Sequence, residues 1–161
     1  MRSERNVRLV ALASIGLLTL AVLLPVSPGT RLQAQAPGLV MVMAANSPVT
    51  GVSRSDLRRM YQGNATDTGR SGRFMPMNQP PNSAPRVQFD REVLQMDAEA
   101  IAQFWVDQRI RGRGEAPRAV PNAALAVRLV ARLPNAIAYV PQTAVNATVR
   151  VIPVDGRPTL R

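Results

Sequence analysis

Between residues 73 and 89 the chain reads RFMPMNQPPNSAPRVQF. A short apolar run at 74–77 breaks into a Pro/Asn/Ser loop, and the loop opens a helix whose first charged residue is Arg86. A strand, a turn and a helix start bring backbone N–H groups without intrahelical partners to one point, at the positive end of the helix dipole. Such a point holds small anions. Ser83 supplies a hydroxyl at the expected N-cap and Arg86 a guanidinium in the first turn. Reversible capture of an oxyanion is the chemistry open to this set. The same two residues also suit a plain N-cap and an exposed helix position.

Other chemistry is removed by composition. The 161 residues contain no Cys and no His, and all 20 basic residues are Arg. Disulfides, thiolate nucleophiles, imidazole bases, Cys/His zinc sites and lysine Schiff bases are therefore excluded. No cofactor and no metal set is expected. Among the acids no pair stands out as a general acid/base couple, and Asp90 and Asp97 read as solvent-facing or capping residues. An enzyme is not indicated. The formal net charge of +10 favours anionic partners without choosing among them. The densest basic stretch, 109–113, has no interleaved aromatic residues, and stacking on single strands needs them. No nucleic-acid partner is expected.

Arg2, Arg5 and Arg8 precede sixteen uncharged, mostly apolar residues at 9–24. That pattern marks a secretory signal, and the run is short for a membrane span, which needs about 20 apolar residues. Residues 1–36 are thus expected to be a signal peptide or an uncleaved N-terminal anchor that engages the membrane during export. Residues 37–161 are expected to form the exported, periplasmic body.

The elements that must hold the loop follow from periodicity. Residues 39–45, LVMVMAA, fit a strand buried on both faces, as in a parallel sheet. Ser53 with Asp56 begins a helix over 54–61 as a weak capping box, and Gly63 ends it. A strand at 73–78 contains Pro76, which argues for an edge position. Helices follow at 84–95, with Phe89, Val93 and Met96 inward, at 98–110 behind Asp97, and at 123–133 behind Asn122. Asn135 is expected to take a left-handed C′ conformation. Strands at 137–140 and 148–154 complete one α/β domain, a mixed sheet flanked by helices. Trp105 and Tyr139 are expected to fill the core.

Four segments in this order also resemble a known family. They are LVMVMAANSPVTGVSRSDLRRMYQGN, the ligand-loop segment above, AIAQFWVDQRIRGRGEAPRAV and LPNAIAYVP. Together they resemble the phosphate-type periplasmic solute-binding proteins of ABC transporters, in their small single-lobe form. The resemblance covers about residues 39–154. It implies a single lobe of a type II periplasmic-binding-protein-like fold and binding of phosphate or another oxyanion. It also implies a membrane permease or sensor as partner. Carried over by position, it implies ligand contacts at Ser47, Asn78, Ser83 and Arg86. Two departures weaken the site. Asn78 stands where the family often has Arg, and Ala84-Pro85 replaces Gly-Thr, removing a hydroxyl and a backbone N–H. The alternative is a degenerate lobe without ligand, acting as an envelope interaction or scaffold module.

Overall fold

A computed structural model describes residues 38–64 and 73–160. The expected leader at 1–36 lies outside them. Its elements are β1 (Leu39–Ala44), α1 (Arg54–Tyr61), β2 (Met75–Met77) and α2 (Ala84–Phe89). A π-helical turn (Asp90–Leu94) runs on from α2. α3 (Ala98–Ile110), α4 (Ala123–Arg132), β3 (Ala136–Pro141), a 3-10 turn (Gln142–Ala144) and β4 (Val149–Ile152) follow.

The four strands lie in the order β2-β3-β1-β4. β1 pairs antiparallel with both neighbours, Met41 facing Tyr139 on one side and Ile152 on the other, and β2 runs parallel to β3. The sheet is mixed and Pro76 sits in the edge strand, as expected. The parallel setting suggested for β1 is not found. Its unbroken apolar sequence reflects helices on both faces of the sheet, and that coverage does not depend on strand direction.

Alternation divides the strand side chains between two cores. Leu39, Met41, Met43, Ile137, Tyr139 and Ile152 pack with Leu57, Met60 and Tyr61 of α1 and with Phe89, Val93 and Leu94. Val40, Val42, Ala138 and Val140 pack on Ala126, Val127 and Val130 of α4. The sheet is therefore the middle of three layers, and β1 is completely buried.

Three helix starts obey their local signals. Asp56 N donates to Ser53 Oγ at 3.0 Å, and the same hydroxyl donates to Asp56 Oδ2 at 2.6 Å. Ala100 N donates to Asp97 Oδ1 at 2.8 Å and Leu125 N to Asn122 Oδ1 at 2.9 Å. The end of α4 differs from expectation. Leu133 is extended, φ −115°, because a residue before proline is pushed out of the helical region and Pro134 follows it. Asn135 is not left-handed. Its Nδ2 instead donates to the Arg73 carbonyl at 2.8 Å, tying the α4–β3 connection to the chain entering β2.

Helix 84–95 is also altered. Regular α-helix covers six residues, then the π turn carries the chain to Gln95, which is left-handed at φ 58°. Two arginines of α1 satisfy the carbonyls this leaves open. Arg54 Nη1 donates to Glu92 O at 2.7 Å and Arg58 Nε to Val93 O at 3.0 Å.

Candidate binding cavity

β2 delivers Asn78 and Gln79 into the loop, and the loop returns as α2. Beneath this turn lies a stack of aromatic rings. Phe89 and Tyr139 are nearly parallel, with centroids 4.1 Å apart, and Tyr61 is tilted against Phe89 at 4.5 Å. The Tyr139 hydroxyl donates to Asn78 Oδ1 at 2.5 Å and accepts from Gln79 N at 3.0 Å. Gln79 Nε2 donates to the Tyr139 carbonyl at 3.0 Å. Asn78 also exchanges backbone bonds with the 118–120 segment, from Asn78 N to Arg118 O and from Val120 N to Asn78 O, both 2.8 Å. The chain leaving β2 is thus held from below by β3 and from the side by residues 118–120.

Arg86 of α2 and Asp90, the first residue of the π turn, lie four apart and form a buried ion pair, Nε to Oδ2 at 2.5 Å. Both are interior residues, with side chains only 11% and 8% exposed. This corrects the expectation of a solvent-facing Asp90, and the plain exposed position that Arg86 also suited is not what it takes. A more distant bond, 3.4 Å, runs from Arg86 Nη1 to Gln79 O. Burial pushes the Asp90 carboxyl above its ordinary range despite the guanidinium, and Asp90 Oδ1 has no hydrogen-bond partner. Burial likewise raises both tyrosine hydroxyls well above theirs.

A cavity of about 620 Å³ opens above this pair. Asn78, Arg86 and Asp90 line one side; Ile101, Ala102 and Trp105 of α3 line another, and Ala116, Pro117 and Ala119 close a third. Asn78 and Arg86, two of the four residues singled out in the sequence, meet here. The other two do not line it. The Ser83 hydroxyl donates to Pro80 O at 2.8 Å and makes no helix cap. Ser47 is buried, its hydroxyl bonded to Met43 Sδ at 3.7 Å and to Val49 N at 3.3 Å. Among the polar lining residues that sequence reading missed is Asp90, although its spacing of four from Arg86 is the signal for an ion pair on one helix face. Trp105, expected in the core, is half-buried and lines the cavity.

Trp105 is backed by the end of α1. Gly63 is left-handed at φ 87°, and a Cβ there would lie 3.3 Å from Trp105 Cη2. Gly63→Ala is therefore expected to cost about 1–2 kcal/mol, from backbone strain and displacement of the indole together. Urea unfolding reads the loss. Trp105 is the one tryptophan of the chain, so its emission reads the displacement.

No protein-family profile matches the sequence, and no curated protein matches it. Solved structures do match. One is described as a phosphate ABC transporter substrate-binding protein with bound phosphate from Clostridium perfringens (TM-score 0.59, 19% identity, covering 75% of this chain and 46% of that one). Another is an ABC-type phosphate transport receptor from Vibrio cholerae (TM-score 0.57, 18% identity, 74% and 46%). A third is PstS from Borrelia burgdorferi (TM-score 0.57, 12% identity, 75% and 48%). The chain spans just under half the length of each. With the mixed sheet, the helices on both faces and this partial coverage together, the body is folded as a single lobe of the type II periplasmic-binding-protein kind.

Proposed function

We propose that this chain is an exported substrate-binding-type protein that holds phosphate or another oxyanion for an ABC-type uptake system, with a membrane permease or sensor as its partner. The observation that carries the reading is the cavity above Arg86, in a fold shared with proteins described as phosphate receptors. Asn78 and Arg86 are the anion-facing residues in this proposal, and Ser47 and Ser83 spend their hydroxyls inside the protein. α2 has only six regular residues and Pro85 lacks an N–H, so the guanidinium and the Asn78 amide carry the contact rather than a helix dipole. The 1–36 segment directs export to the periplasm, as a cleaved signal or a retained anchor. Among the described residues no helix is long and apolar enough to cross a membrane.

One observation favours a second reading, a lobe that binds no small ligand and serves as an envelope interaction module. The Arg86 charge is already neutralised by Asp90. A thermal-shift series with phosphate, sulfate and molybdate separates the two. Ligand at about 100 times Kd stabilises the fold by about 2.7 kcal/mol, a shift of several degrees for a domain of this size. Under the binding reading, phosphate shifts the wild type and not Arg86→Gln. An unmoved midpoint at millimolar levels of all three anions leaves the interaction module.

A further inference from the structure

Resting on the reading of the cavity as the binding site, we infer that its ligand is an organic oxyanion: an oxygen-bearing head carried on an apolar, preferably aromatic, body. At about 620 Å³ the cavity has the size of a small-molecule pocket and holds far more than one tetrahedral ion. Its chemistry is divided between walls. The β2–α2 wall offers Asn78, Arg86 and Asp90, whereas Val87, Met96, Ile101, Trp105 and Pro117 present apolar surface.

The polar wall is built to orient a head group rather than to attract charge. Asn78 is 3% exposed and its Oδ1 is taken by Tyr139, which leaves Nδ2, without a protein partner among the described residues, as a donor. Arg86 is pinned by Asp90, and the other charged lining residues, Arg91 and Asp97, are also of opposite sign, so the lining carries no formal net charge to pull on a dianion. Affinity must then come from apolar burial, at about 25 cal/mol per Å². The surface for it is in place. Trp105 is set edge-on to Phe104, with centroids 5.1 Å apart, and is backed by Gly63. A bare ion in the polar corner would leave this wall to water.

Calorimetric titration of the full chain with inorganic phosphate, phenyl phosphate and benzoate tests the inference, with Trp105 emission followed in parallel. At least one aromatic anion is expected to bind about tenfold or more tighter than inorganic phosphate and to shift the emission. Ala102→Phe, which fills the apolar side of the cavity from an exposed position of α3, is expected to abolish that advantage. Inorganic phosphate binding as tightly as both aromatic anions overturns the inference while the oxyanion reading stands. An aromatic advantage that survives Ala102→Phe also overturns it, since the body then lies elsewhere. Binding of none of the three at millimolar concentration overturns both readings.

Discussion

Arg86→Met is expected to destabilise the domain by about 3–5 kcal/mol, the loss that follows when one member of a buried ion pair is removed and its partner stays. Native domains of this size hold only about 5–15 kcal/mol in all, so the variant should sit near the edge of folding. The reason lies in Asp90. One carboxylate oxygen rests 2.5 Å from Arg86 Nε and the other has no partner. Without the guanidinium, a buried anion would keep no compensation. Removing both charges tells a packing loss from an electrostatic one. Arg86→Met with Asp90→Leu is expected to recover most of the stability, because a buried pair exchanged for apolar groups of similar volume is often neutral. Urea unfolding of the two variants measures both effects.

The same change should be pH-dependent, with a definite sign. Burial already raises the Asp90 pKa above its ordinary 3.8. A carboxyl with a raised folded pKa contributes stability that is fully present below the unfolded value and lost as pH rises through the folded value. Removing Arg86 moves the folded value further up and widens that window. The deficit of Arg86→Met relative to the wild type is therefore largest near neutrality and shrinks as pH falls toward 4. A deficit constant over this range would mean that only packing was lost.

Local rules explain which features could be read directly from the residues. Ser53, Asp97 and Asn122 cap helices because each side chain needs only a backbone N–H two or three residues on. Pro76 lies at the sheet edge because it has no N–H for a second neighbour. The unbroken 39–45 run required burial on both faces, yet strand direction is a property of the partners and left no trace in it. Asn135 failed as a left-handed residue because Pro134 acts on Leu133 first and ends the helix in another way. The site was harder to read for the same kind of reason. Spacing placed Arg86 and Asp90 on one helix face, but whether that face meets water depends on Phe89 stacking on Tyr139, a residue of β3 fifty positions away in sequence. Ser47 and Ser83 carry suitable hydroxyls, and only the folded chain reveals that each bonds inward. Trp105 looked like core because an aromatic residue at helical spacing normally is core. The side of α3 on which it lies is half covered, and the cavity takes the rest.

Tyr139→Phe is expected to cost about 2–4 kcal/mol and, under the proposed oxyanion-binding reading, to weaken phosphate binding, whereas Tyr61→Phe should cost about 1 kcal/mol and leave that binding unchanged. Both rings are almost wholly buried and both hydroxyls are bonded, so the contrast rests on what each oxygen holds. Tyr61 donates its one proton to the Met77 carbonyl at 3.0 Å, with the Ile137 carbonyl a more distant acceptor at 3.4 Å. Its loss leaves one acceptor short of a bond. The Tyr139 oxygen serves two groups at once, donating to Asn78 Oδ1 and accepting from Gln79 N. Its loss strands a buried amide oxygen and a buried N–H, each worth about 1–3 kcal/mol when left unmade. Those two groups also fix where the Asn78 amide points into the cavity. With the hydroxyl gone, Asn78 is free to turn its Oδ1 into the cavity and present an acceptor where the proposed oxyanion would need a donor. Unfolding in urea reads the stability difference, and calorimetry with inorganic phosphate reads the affinity. Equal losses from the two variants would place the Tyr139 hydroxyl among ordinary core hydrogen bonds. A selective loss of affinity in Tyr139→Phe would make it the positioning residue through which β3 sets the chemistry of the loop.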